Sequence, residues 1–133
     1  MTILGVSNSF TGPSLGIELQ GNHCYAYSGA VTATNTLDTV LDFQTGNYYV
    51  DAVFQLTPAI DLSNVGGGVV SAFEIQFNGS TVCLTKSDSS SESMPVISNV
   101  NLVIPPYTQV TVKIDSSSAT GSATQMMTGR IYR

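Results

Sequence analysis

Cationic side chains are scarce in this sequence. Among 133 residues there are four, Lys86, Lys113, Arg130 and Arg133, scattered along the C-terminal half, and the net charge is −5. Neutralising a nucleic-acid backbone needs clustered Lys and Arg, so nucleic acid is excluded as an expected partner. Charge of either sign is thin as well, at 10% of residues, against ~25% in an ordinary soluble domain. Ser, Thr, Asn, Gln and Gly take its place. Such a polar but lightly charged surface suits a secreted module, an adhesin or a virion part better than a typical cytoplasmic enzyme. No apolar run approaches ~18 residues, so no membrane span is expected. The opening MTILGVSNSF has no charged n-region and no continuous apolar stretch, and does not read as a signal peptide. Cysteine is limited to Cys24 and Cys83. Without an export signal, two thiols read as free rather than bridged.

Helical spacing is missing too. No window places apolar residues at i, i+3, i+4 and i+7 without Gly, Pro or β-branched crowding. Alternation with a period of two recurs instead. In 47–57, Tyr48, Val50, Ala52, Phe54 and Leu56 share one face and Tyr49, Asp51, Val53, Gln55 and Thr57 the other; the first set is the inward one. In 107–115, Val110, Val112 and Ile114 point in. In 23–33, Tyr25 and Tyr27 lie opposite Cys24 and Ala26. In 36–43, Leu37, Val40, Leu41 and Phe43 are the apolar set, with a change of phase near Thr39 that suggests a bulge. With 69–77, 80–86, 95–104 and 123–133, this makes about eight strands separated by turn-rich loops, the signature of a single all-β sandwich or barrel. Residues 1–17, with Gly5, Gly12, Pro13 and Gly16, read as an extended N-terminal arm with an edge strand at 2–6, and 18–133 as the domain. Pro105-Pro106 ends a ladder, because proline has no N–H to donate.

The stretch FEIQFNGSTVCL, 73–84, carries the sharpest local signal. Asn-Gly between alternating runs predicts a type I′ hairpin, which requires positive φ at both central residues. A straight ladder from that turn sets Phe77 against Ser80, Ile75 against Val82 and Phe73 against Leu84, with all the large apolar side chains on one face. The other face, with Glu74, Gln76, Thr81 and Cys83, is polar and small. A sheet with one face in the core supports two sheets packed inner face to inner face.

Groups for chemistry do not converge. His23 is the single histidine. Its neighbour Cys24 makes a weak metal pair, since no Cys-x-x-Cys spacing accompanies it, so no metal and no cofactor are expected. Asp38, Asp42 and Asp51 are close in sequence, but a glycosidase needs two carboxylates flanking one bond in a cleft, and acids on outer strand faces serve to solubilise. No catalytic residue is named and the chain does not read as an enzyme. Tyrosine is the functional hint. Tyr25, Tyr27, Tyr48, Tyr49, Tyr107 and Tyr132 offer large contact area with a polar tip, a residue type enriched in interfaces. Tyr25, Tyr27 and Tyr48 read as core-edge residues and Tyr49 as a contact residue pointing away from the core.

The stretch YAYSGAVTATNTLDTVLDFQTGNYYVDAVFQL, 25–56, resembles small jelly-roll cement or decoration proteins of tailed-phage heads. Its features are Tyr-x-Tyr-Ser-Gly, an apolar pair before Asp-Phe-x-Thr-Gly, and Tyr-Tyr-Val leading into alternation. Directly, the resemblance covers about a quarter of the chain. It implies a jelly-roll-like sandwich of antiparallel strands and a homotrimer on the virion surface, made in the host cytoplasm. Its partner would be the major capsid protein, whose shell it stiffens. Capsid or subunit contacts are expected from Ile3, Leu4, Val6 and Phe10 of the arm and from Tyr49. The competing expectation is a receptor- or glycan-binding head of a phage fibre or adhesin, using loops 58–68, 87–94 and 116–122, since function commonly sits on loops.

Overall fold

The computed structural model describes residues 2–5, 14–20, 22–34, 36–60, 70–88, 97–117 and 121–132. Twelve strands are present among them: β1 (Thr2–Gly5), β2 (Ser14–Gln20), β3 (His23–Tyr27), β4 (Val31–Ala33), β5 (Asp38–Gln44), β6 (Tyr49–Leu56), β7 (Val70–Phe77), β8 (Ser80–Asp88), β9 (Ser98–Ile104), β10 (Gln109–Ser116), β11 (Gly121–Ala123) and β12 (Gln125–Tyr132). Among the described residues no helix is long and apolar enough to cross a membrane.

The Asn78-Gly79 turn organises more than its own hairpin. Asn78 (φ 52°) and Gly79 (φ 83°) both take the positive φ that a type I′ turn requires, and β7 and β8 pair across them. Outside this pair, β6 pairs β9, with Val50 opposite Ile104. Next β5 pairs β10, with Phe43 opposite Val110, and β4 pairs β11, with Ala33 opposite Gly121. Last β3 pairs β12, with Tyr27 opposite Met126. Each pair brackets the turn at nearly equal chain distances, so the polypeptide is one long hairpin, folded in half at Asn78-Gly79 and rolled up. The rolled strands lie as β3-β12-β6-β9, here the front sheet, and β5-β10-β7-β8, the back sheet. This is the strand order of a jelly-roll sandwich. The eight long strands are the eight segments that alternation marks out.

The four additional strands are short or lie in the first twenty residues. β1 pairs β2, with Thr2 opposite Leu19 and Gly5 opposite Gly16. β2 joins β3 antiparallel and β5 parallel, through Ser14 opposite Leu41, and so links the two sheets. Residues expected as an extended arm therefore supply a hairpin, and the expected boundary at 17/18 falls inside β2. The Leu15, Ile17, Leu19 alternation is the signal for β2; the surrounding glycines obscure it.

Inner faces meet as alternation requires. Val50, Ala52, Phe54, Leu56, Met127, Ile131, Cys24, Ala26 and Ile104 come from the front sheet, and Val40, Leu41, Phe43, Phe73, Ile75, Val110, Val112 and Ile114 from the back; all are buried. Each large side chain removed from water contributes about 1.5–3 kcal/mol before the entropy of ordering it. Two bulges set the phase. In β5, Val112 opposes Leu41 and Lys113 opposes Thr39. Val40 is the extra residue, so adjacent Val40 and Leu41 are both buried, one position beyond the expected phase change. Leu37 does not join this set and is exposed.

The second bulge corrects the hairpin ladder. Phe77 opposes Ser80 and Gln76 opposes Thr81, but Ile75 opposes Cys83 and Phe73 opposes Thr85. Val82 is the extra residue, and beyond it Cys83, Leu84, Thr85 and Lys86 take the opposite faces. Cys83 packs against the core while Val82 and Leu84 are exposed, Leu84 at 73%.

Buried polar groups fasten the ends of the roll. Gln125 Nε2 donates to the Thr57 carbonyl (2.7 Å), its Oε1 accepts from Thr57 N–H (2.7 Å), and its N–H donates to Ser28 Oγ (2.8 Å). Among the described residues no buried side-chain nitrogen or oxygen lacks a partner, as expected where each orphan would cost about 1–3 kcal/mol.

Candidate docking face

Burying Val50, Ala52, Phe54 and Leu56 fixes what β6 presents on its other side, because successive strand residues alternate between faces. Tyr49, Asp51 and Val53 are exposed there, with Gln55 half-buried. Register then assembles a continuous outer face on the front sheet. Tyr132 lies opposite Tyr49, Arg130 opposite Asp51, Thr128 opposite Val53 and Met126 opposite Gln55. On the far side of β12, Tyr25 lies opposite Thr128 and Tyr27 opposite Met126. On the far side of β6, Val103 lies opposite Asp51 and Asn101 opposite Val53. Tyr49 is 52% exposed, Tyr132 50% and Val103 63%. The Tyr25 and Tyr27 rings are 5.1 Å apart, tilted by 38°. The Arg130 guanidinium lies 5.8 Å from the Tyr132 ring centroid, within cation–π range. Beneath this face β12 runs close to β6. A Cβ on Gly129 would stand 2.7 Å from the Asp51 carbonyl oxygen and 3.2 Å from Ala52 Cα, so glycine is required by the approach of the two backbones.

The outer face of the back sheet is polar and internally satisfied. Glu74 Oε1 accepts from Gln76 Nε2 and Oε2 from Thr81 Oγ1, both at 2.7 Å. Gln109 Nε2 donates to Asp42 Oδ1, and Lys113 stands in register between Glu74 and Thr39. Asp38, expected from the sequence on an outer face, does not share this one. It is half-buried opposite the inward Ile114, because the Val40 bulge shifts its phase, and its Oδ2 accepts from Thr34 N–H (2.9 Å) and Thr34 Oγ1 (2.7 Å). Among the described residues the large exposed apolar side chains of this sheet, Val82 and Leu84, lie on its edge strand β8.

The turns at residues 45–48, 78–79 and 105–108 lie at one end of the sandwich. There Pro105-Pro106 does more than end a strand. Thr108 N–H donates to Thr45 Oγ1 (3.1 Å), Thr45 Oγ1 donates to the Pro105 carbonyl (2.9 Å), Thr45 N–H donates to the Thr108 carbonyl (3.2 Å), and Tyr107 N–H donates to the Gly46 carbonyl. These bonds hold Tyr107 at φ 57° with its side chain 76% exposed. An aromatic residue rarely adopts that conformation unless its surroundings enforce it.

Of the contact residues named from sequence, Tyr49 sits on the outer face as alternation requires. Ile3 and Leu4 lie in β1, opposite Glu18 and Ile17; β2, β3 and β12 separate that strand from β6, so the structure does not bring them to Tyr49. Val6 and Phe10 lie outside the described residues. Tyr48 is half-buried against the core, as read. Tyr25 and Tyr27 belong to the outer face, because Cys24 and Ala26 take the inner one. Val53 shares the outward face of β6 with Tyr49 from sequence, and Tyr132 counts among the tyrosines, but the place of Tyr132 and Val103 beside Tyr49 depends on long-range register.

The geometry also separates ionisable groups that are neighbours in sequence. His23 is exposed and Cys24 is buried on the opposite side of the same strand, so the two cannot share a ligand. Asp51 lies on the outer face of the front sheet, whereas Asp38 and Asp42 lie on the back sheet, so the three acids cannot flank one bond. Among the described residues no group of three His, Cys, Asp or Glu side chains could hold a metal ion. Cys24 and Cys83 are free thiols, and burial pushes the Cys24 thiol from 9.0 up to about 11. An open depression of about 340 Å³ is lined by Val70, Ala72, Asp115, Ser116 and Ser117. No protein-family model matches this sequence, and no curated protein matches it.

Proposed function

We propose that this chain is a structural binding protein, a decoration protein that docks through the outer face of its front sheet onto the outside of a phage capsid shell. The observation that carries the reading is the concentration of Tyr25, Tyr27, Tyr49, Tyr132, Val53 and Val103 on one broad sheet face. Interface cores are enriched in tyrosine and arginine and depleted of charge, and this face pairs its one arginine with a tyrosine ring. The resemblance of residues 25–56 to phage decoration proteins names the partner class, the major capsid protein. Stabilisation follows by mass action: a protein that binds only the mature shell lowers its free energy by about 2.7 kcal/mol per site at a hundred times Kd. The fibre-head alternative relies on loops 58–68, 87–94 and 116–122, most of which lie outside the described residues.

Sedimentation with purified particles tests the reading. The wild-type chain is expected to travel with the particle at high copy number, and the double variant Tyr49→Ser, Tyr132→Ser to stay in the supernatant while retaining its melting temperature. Recovery at tens of copies or fewer would point to a fibre head. No recovery with any particle would overturn the proposal.

A further inference from the structure

The two edges of the rolled sheet are built differently. β8 is guarded: its pairing with β7 contains the bulge at Val82, and its sequence includes Lys86 and Asp88. Bulges and edge charges are what keep a strand from pairing further. β9 has neither. Its sequence, SNVNLVI, contains no charge and no proline. It runs against β6 in unbroken register from Leu56 opposite Ser98 to Val50 opposite Ile104. Among the described residues no strand pairs with its other side. A straight, neutral edge presents unpaired N–H and C=O groups and is a template for another strand.

We infer that β9 pairs antiparallel with β9 of a second copy of this chain about a two-fold axis, joining two front sheets into one. A two-fold axis sets a strand against its own reversed copy, so like charges placed symmetrically about the axis stand directly opposite and destabilise the pair, and a self-pairing strand must keep those positions neutral. β9 meets the requirement, since every side chain on it is neutral. Antiparallel pairing also keeps faces matched: the exposed set Asn99, Asn101 and Val103 meets the same set, and the half-buried Val100 and Leu102 extend the inner faces. The nearest carboxylate on this sheet, Asp51, stands one strand back from the seam. The pair presents both tyrosine faces on one continuous sheet, which gives a two-site docking surface with avidity for a repetitive partner. The seam itself does not rest on the capsid reading.

The test is the mass of the purified chain alone, by light scattering at high micromolar concentration, for three forms. They are the wild type, a variant with Asn99→Lys, Asn101→Lys and Val103→Lys, and a variant with the same positions changed to Glu. The wild type is expected at twice 14.0 kDa, each variant at the single-chain mass, and their equimolar mixture back at the paired mass. A single-chain wild type overturns the inference. A three-chain wild type overturns it in favour of the three-fold ring that the resemblance implies, and a lysine variant that still pairs overturns it too. Amide exchange of residues 98–104 in the wild type gives a readout independent of variant folding: it slows with concentration if β9 is the seam and is unchanged if it is not.

Discussion

The two outer faces of this sandwich come from the same alternation and the same rolled hairpin, yet they carry opposite chemistry. On the back sheet, Glu74 is bonded by Gln76 and Thr81, and Asp42 by Gln109, so polar groups are satisfied by their neighbours. On the front sheet, Tyr25, Tyr27, Tyr49, Tyr132, Val53 and Val103 stand at outward positions, around Asp51, Arg130 and Thr128. Folding does not ask for these tyrosines and valines there, because the inner face of the same strands already supplies the apolar core, with Gln125 its one buried polar side chain among the described strand residues. Exposed apolar side chains are ordinary when scattered and informative when gathered. What separates a docking face from a solvated one is therefore the residue class placed at positions the core leaves free.

The largest expected effect probes the packing beneath the docking face. Gly129→Val places a side chain against the Asp51 carbonyl and Ala52 Cα, backbone atoms that cannot give way, and is expected to cost about 3–4 kcal/mol in denaturant melts. A wild-type midpoint would show that the front sheet is looser than described.

Next comes the thiol on the inner side of the same sheet. Below pH 9.0 both folded and unfolded chains keep the Cys24 proton. Between 9.0 and about 11 the unfolded chain loses it while the folded chain retains it, so stability falls as pH rises, by roughly 3 kcal/mol in total. That part of the fall is expected to vanish in Cys24→Ala. Identical slopes for the two proteins would place the thiol in contact with water.

A smaller effect belongs to the back sheet. Gly79→Val sets a β-branched residue at φ 83° and is expected to cost about 1–2 kcal/mol, all of it strain, since the space around Gly79 is open. An unchanged melting temperature would remove the type I′ assignment and, with it, the pivot of the rolled hairpin.

Much of this fold was legible because the core is built from period-two strands. Val50 to Leu56, Val110 to Ile114 and Asn78-Gly79 announce their conformation locally. Two things did not show. The Val82 bulge hid because TVCLT reads as a strand in either phase, and Val82 and Leu84 are the greasier choice. Only the position of β8 at a sheet edge, with little core to cover, lets Cys83 and Thr85 turn inward instead. β2 hid behind Gly12, Pro13 and Gly16. For the docking face, Tyr49 was readable from its own strand, whereas Tyr132 became its neighbour only through a pairing that spans most of the chain. Tyr107 was visible as a residue, but not as one held at positive φ by the Thr45–Gly46 turn.

The central claim is that the front face docks and the back face does not, and a pair of charge-matched variants tests it most directly. Val53→Lys puts an ammonium at the middle of the front face, and Thr111→Lys puts one at the middle of the back. Sedimentation with purified particles is expected to leave the first in the supernatant and to carry the second down at wild-type copy number. Retention of the Val53 variant with loss of the Thr111 variant would contradict the assignment.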